Sequence, residues 1–284
     1  MIDMVDRLLF PTDGSAGAMS TLEHALDLAA DHDASVHVLT VQDEKTAADS
    51  EEPAGTELVE LAADRVRERG LDPVTAIRSG RPYQRILEYA DVEDVDLIVM
   101  PTHGRTGLER LLLGSVTARV IRLADVPVLT ACPDSELRYP YRRVLVPTDG
   151  SRSANAALDV AVELASVAKV PLTALSVIEP SRQDANVRSS VSRDRMDELA
   201  HDAVETAGDV AREASISDVS TTVVRGSSVH AEIDSYVEAN PIDLIVVGTH
   251  GRTGIDRYLF GGVTEKLVRT ADVPVLTVRE PDGE

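Results

Sequence analysis

The chain has 284 residues, enough for two domains that can each bury a core without covalent staples. Its 49 acidic and 28 basic residues give a net charge of −21, a field that repels nucleic acid and anionic membrane surfaces and excludes both as general partners. A single cysteine, Cys132, excludes an internal disulfide, no Cys/His group has zinc spacing, and no apolar leader or bilayer-length apolar run is present, so a reducing cytoplasm is the expected compartment.

In chain order, the first half predicts a strand at 8–10 and a helix over 20–30 with Leu22, Ala25, Leu26 and Ala29 on one face. A strand at 35–41 follows, then a polar, mobile-looking loop at 43–56. A helix over 57–69 groups Leu58, Leu61, Ala62 and Val66. A strand at 74–77, a helix at 83–90, a strand at 96–100, a helix at 115–123 and a strand at 126–130 complete the series. Most strand candidates are apolar at consecutive positions, as in strands covered on both faces. Alternation of this kind implies an α/β fold with a doubly wound parallel sheet and right-handed crossovers.

The second half repeats the first. The run from Pro11 to Ser15 recurs unchanged from Pro147 to Ser151, and the run from Asp96 to Val99 recurs from Asp243 to Val246. Residues 104–130 align without gaps with 251–277, and 17 of the 27 positions are identical. The offset grows from 136 to 147, so the second copy carries 11 extra residues between these blocks. A period this long is a duplicated domain rather than a solenoid. Pro133, Asp134, Ser135 and Pro140 mark the boundary, giving domains at 1–133 and 140–280, and a second mobile-looking loop is expected at 179–192.

In doubly wound sheets ligands sit beyond the carboxyl ends of the strands, where strand order switches. The loop after the fourth strand is the most informative. Copy two reads Gly248-Thr249-His250-Gly251, nine residues, then Gly261-Gly262-Val263-Thr264. Copy one reads Pro101-Thr102-His103-Gly104, nine residues, then Gly114-Ser115-Val116-Thr117. A glycine opens a helix in each, where unpaired N–H groups and the dipole attract phosphate, and Ser115, Thr117 and Thr264 are candidate hydroxyl donors.

These motifs resemble the universal stress protein family, whose ATP-binding members carry glycine, two residues, glycine, nine residues, glycine and a small hydroxyl residue. They also carry an early strand ending in proline and aspartate, as Pro11-Thr12-Asp13 and Pro147-Thr148-Asp149 do here. The resemblance covers nearly the whole chain. It implies two tandem five-stranded, Rossmann-like domains of the adenine nucleotide alpha hydrolase-like type, binding ATP as a stress-response regulator or sensor. Asp13 and Asp149 are then expected near ribose and phosphates, with Mg²⁺ bridging through the phosphates. Val41 and Val177 would meet adenine, and Gly104, Gly114 and Ser115, with Gly251, Gly261 and Gly262, would hold phosphate. The last strand is the family's usual dimerisation edge. It implies an internal pseudo-dimer of the two copies, with a homodimer and regulatory protein partners also open. Pro101 departs from the pattern's first glycine, and Gly262 from its hydroxyl residue. The second site is the preferred one, since water can replace a missing donor but a rigid ring cannot move aside.

Other readings stand beside these. Asp13 and Asp149 could serve only as helix caps, and His103 and His250 could hold the loop or carry protons. Arg105 and Arg252 could pair with phosphate or be solvated. Cys132 reads as inert, and Leu111, Leu112 and Leu113 as core or interface. The rival functions are a slow ATPase or phosphotransferase, and a scaffold with empty sites. A dinucleotide oxidoreductase is disfavoured, since no Gly-x-Gly-x-x-Gly follows the first strand. Scarce lysine, no tryptophan and high acid content resemble proteins of salt-loving microbes, a halophilic archaeon above all, and imply self-repulsion in low salt.

Overall fold

The computed structural model describes residues 5–42, 55–103, 113–132, 137–179, 189–250 and 261–280, with residues 189–193 described by backbone alone. The chain forms two compact units, one built mainly on residues 2–140 and the other on 141–267 and 275–284.

The first unit alternates β1 (Arg7–Pro11), α1 (Ala16–His32), β2 (Ser35–Gln42), α2 (Thr56–Glu68), β3 (Pro73–Ser79), α3 (Pro82–Val92), β4 (Leu97–Pro101), α4 (Ser115–Leu123) and β5 (Val128–Ala131). Its strands lie in the order β3-β2-β1-β4-β5, and every pairing is parallel. Order switches at β1, which lies between β2 and β4. Leu8, Leu9, Phe10 and Ile98 are fully buried, consistent with central strands covered on both faces. The outer strand β3 is largely exposed.

The second unit repeats the plan with β6 (Val144–Pro147), α5 (Arg152–Ala168), β7 (Leu172–Ile178), α6 (Ser189–Glu213), β8 (Val219–Arg225), α7 (Val229–Ala239), β9 (Leu244–Gly248), α8 (Gly262–Thr270) and β10 (Val275–Val278). Its parallel order is β8-β7-β6-β9-β10. Helix α6 has 25 residues where α2 has 13, and this accounts for the extra length of the second copy. Residues 189–192 therefore open a helix rather than belong to the expected loop. Residues 43–54 and 180–188 lie outside the described residues.

The repeated Asp-Leu-Ile-Val run has a structural cause. Asp96 Oδ2 accepts the backbone N–H groups of Asp6 (3.0 Å) and Arg7 (2.9 Å). Asp243 Oδ2 accepts those of Arg142 (2.9 Å) and Arg143 (3.1 Å). Each carboxylate fastens the start of the first strand of its unit to the start of the fourth.

The two first-strand helices also begin and end alike. Ser15 and Ser151 are the N-caps, their hydroxyls accepting from Ala18 and Ala154 at 3.2 Å. Asp33 and Lys169 close the helices in the left-handed region at φ 54° and 55°. Gly14 and Gly150, both at φ 72°, make the turn that leads into each cap, a conformation that favours glycine.

Candidate functional site

Each unit has a cavity at the carboxyl ends of its central strands, of about 290 Å³ in the first and 340 Å³ in the second. The places agree with the switch of strand order. Three elements meet there: the turn after the first strand, the end of the second strand with the helix that crosses it, and the N-terminus of the helix after the fourth.

The turn is set by short local bonds. The Thr12 and Thr148 N–H groups donate to Leu39 and Leu175 carbonyls at 2.8 Å, which extends the strand pairing by one residue. Thr12 Oγ1 then accepts from Gly14 N–H and Thr148 Oγ1 from Gly150 N–H, both at 3.1 Å. Asp13 Oδ1 accepts from Ser15 N–H at 3.0 Å, and Asp149 Oδ1 from Ser151 N–H at 2.9 Å. The serines are thus the helix caps, and the aspartates brace the turn just before them while lining the cavities.

The wall opposite is apolar. Leu39, Val41 and Ile86 line the first cavity, and Leu175, Val177 and Ile233 the second. Pro82 and Val229 stand at the start of α3 and α7 and complete this wall, with Met100 and Val247 from the fourth strands. Of these, only Val41 and Val177 were expected from sequence. The others could have been found by aligning the copies: Pro82 and Ile86 recur as Val229 and Ile233, four residues apart and hence on one helix face. Ala154 and Glu179 also line the second cavity and were not foreseen.

The loop after the fourth strand is drawn shut at its root. Gly114 N–H donates to Thr102 O at 2.8 Å and Gly261 N–H to Thr249 O at 3.0 Å. A Cβ on Gly114 would lie 3.2 Å from that carbonyl oxygen and one on Gly261 3.0 Å away, so close backbone approach explains both glycines. Their N–H groups are therefore engaged in closing the loop. Thr117 Oγ1 donates to Pro101 O at 3.0 Å and Thr264 Oγ1 to Gly248 O at 2.8 Å. These hydroxyl hydrogens join helix to strand, and both threonines also line their cavities. On this side Gly114, Ser115, Val116 and Thr117 line the first cavity, and Gly261, Gly262, Val263 and Thr264 the second; these are helix starts, where first-turn N–H groups have no partner within the helix.

Each histidine ring meets the hydroxyl of the threonine before it. His103 Nδ1 lies 3.0 Å from Thr102 Oγ1 and His250 Nδ1 2.9 Å from Thr249 Oγ1. His250 lines its cavity, whereas His103 is absent from the lining of the first. The expected Pro11, Pro101, Pro147, Gly248 and Gly262 all line their cavities. Gly104, Arg105, Gly251 and Arg252 lie outside the described residues, as do Leu111 and Leu112. A Cβ on Gly262 would meet nothing within 4 Å among the described residues. Cys132 is half-buried beyond β5.

The sequence profile of the "Universal stress protein family" matches residues 4–131 and again 140–279. A universal stress protein of Methanocaldococcus jannaschii is 34% identical over 139 residues, covering 45% of this chain and 82% of its own. One from Mycobacterium tuberculosis is 29% identical over 240 residues, covering 81% and 78%. The crystal structure of a universal stress protein from Archaeoglobus fulgidus superposes with a TM-score of 0.76 at 21% identity, over 99% of both chains, and carries the same fold.

Proposed function

The chain belongs to the universal stress protein family, and from that premise we propose that it binds an adenine nucleotide in each cavity and works as a regulator or sensor in a stress response. ATP is the favoured ligand, with one site in each of the domains at 1–133 and 140–280.

The observation that carries this reading is the convergence, twice in one chain, of an apolar slot, a carboxylate-bearing turn and a helix N-terminus on one cavity. The slot between Leu39, Val41 and Ile86, or Leu175, Val177 and Ile233, suits a purine ring. The N-termini of α4 and α8 suit phosphate. Ser115 adds a hydroxyl in the first site, and Arg105 and Arg252 are further phosphate partners in this reading. Asp13 and Asp149 suit a ribose hydroxyl or a cation held on the phosphates.

Among the described residues no group of three or more His, Cys, Asp or Glu could hold a metal ion. Mg²⁺ would therefore draw most of its ligands from phosphate and water, with one aspartate contributing. It would also neutralise an anionic ligand entering a chain of net charge −21.

Thermal unfolding of the ligand-free chain with ATP, GTP or adenosine, each with Mg²⁺, tests the reading. ATP at a hundred times its dissociation constant stabilises by about 2.7 kcal/mol, and GTP should do so far less. No shift with any purine nucleotide at millimolar concentration would contradict it.

A further inference from the structure

The two copies differ where the end of the fourth strand meets the start of the first helix. At the end of β9, a Cβ added to Gly248 would lie 2.4 Å from the Ser153 carbonyl oxygen and 2.5 Å from its Oγ. The nearest of these atoms is backbone, so a side chain at 248 would require the start of α5 to shift. In the first copy the sizes are exchanged, with Gly17 at the helix position and Pro101 at the strand end.

Ser153 is the second residue of α5, is 4% exposed and is not part of the cavity wall. Its Oγ accepts the backbone N–H of His250 at 3.2 Å. His250 lines the cavity and is the second residue beyond β9 on the way to Gly261. The serine therefore fastens the root of this loop from behind, through a helix whose own start is capped by Ser151. Gly17 has no side chain to do the same. There Pro101 occupies the equivalent strand end, and its ring fixes φ and restricts the residue before it.

We propose that Ser153 is a positioning residue of the second cavity, holding the His250 backbone so that this part of the cavity wall is set before a nucleoside polyphosphate arrives. Gly17 offers no such bond in the first cavity, so loss of the Ser153 hydroxyl should loosen the second site alone. This inference rests on the nucleotide reading above.

The test compares the full-length chain with its Ser153→Ala variant by calorimetric titration with ATP plus Mg²⁺ and, separately, with adenosine. Amide exchange at residue 250 is followed in parallel. Ser153→Ala should weaken ATP at one of the two sites by about 2- to 10-fold, the effect of losing one ordinary hydrogen bond. The other site and adenosine affinity should stay within about two-fold, and the His250 amide should exchange faster. Unchanged ATP affinity at both sites would overturn the proposal. So would equal weakening of ATP and adenosine, which marks general loosening of the unit. If the unaltered chain binds neither ligand, the nucleotide reading falls and this inference with it. If it binds both and the variant matches it, the inference alone falls.

Discussion

The Thr264 hydroxyl lies 2.8 Å from the Gly248 carbonyl oxygen, and Thr117 stands in the same relation to Pro101 at 3.0 Å. Both threonines are buried, at 4% exposure. Each bond joins the first turn of the helix to the last residue of the fourth strand beneath the cavity. Thr264→Val keeps the shape and removes the donor, leaving a carbonyl unpartnered. The expected cost is about 1–3 kcal/mol of stability, read by urea unfolding, with nucleotide stoichiometry unchanged. A loss of binding without a loss of stability would instead make this hydroxyl a direct ligand contact.

Gly262 offers the converse experiment. A Cβ there meets none of the described residues, and Ser115 is its counterpart in the first copy. Gly262→Ser should tighten ATP at the second site by about 2- to 10-fold through one added hydrogen bond, and a helix-opening serine costs nothing in packing. Calorimetric titration checks this. Weaker binding in the variant would show that the ligand's phosphates need the space that glycine leaves.

Asp149 has two separable duties. Its Oδ1 accepts from Ser151 N–H at 2.9 Å, and its charge faces the cavity. Asp149→Asn keeps an acceptor for the turn and removes the charge, whereas Asp149→Ala removes both. The asparagine variant should unfold near the parent temperature yet bind Mg²⁺-ATP roughly ten-fold more weakly or worse. Equal binding by the asparagine variant would reduce Asp149 to a turn residue.

The fold was legible because its signals were redundant. Consecutive apolar runs marked β1, β2 and β4, and exact repeats aligned the two copies. The Pro-Thr-Asp-Gly-Ser turn carried its glycine at φ 72° in both. The cavity's glycines were legible as positions but not as roles. Gly114 and Gly261 sit where the carbonyls of Thr102 and Thr249 approach closely, a long-range contact that no local pattern encodes. The bonds of Thr117 and Thr264 to the Pro101 and Gly248 carbonyls were likewise not legible, because they are long-range contacts. Ile86 and Ile233 went unnoticed as cavity residues because an apolar position on an amphipathic helix reads first as core. The length of α6 was hidden by a polar, stripe-poor start at residues 189–192.

His24 gives the first unit a pH dependence of its own. It is 3% exposed on α1, with the Tyr139 ring edge-on at 6.2 Å. Burial lowers its pKa from 6.5 to about 4, with Asp27 opposing the shift, while burial and the hydrogen bond to Asp31 push the Tyr139 hydroxyl up. As pH falls through 6.5 the unfolded chain takes up the proton and the folded chain does not. Stability present above pH 6.5 is therefore lost progressively down to about pH 4, by about 3 kcal/mol. His24→Gln should flatten the dependence of urea midpoints across this window. Parallel slopes in parent and variant would assign the loss to other groups.

The most direct measurement is of what the chain carries. Protein purified in high salt with Mg²⁺ would be denatured, and the released small molecules identified by chromatography and mass. The account predicts adenine nucleotide, approaching two equivalents of ATP per chain once both sites are saturated. Absence of nucleotide, together with failure of added ATP to bind, would contradict it and leave two empty cavities on the same fold.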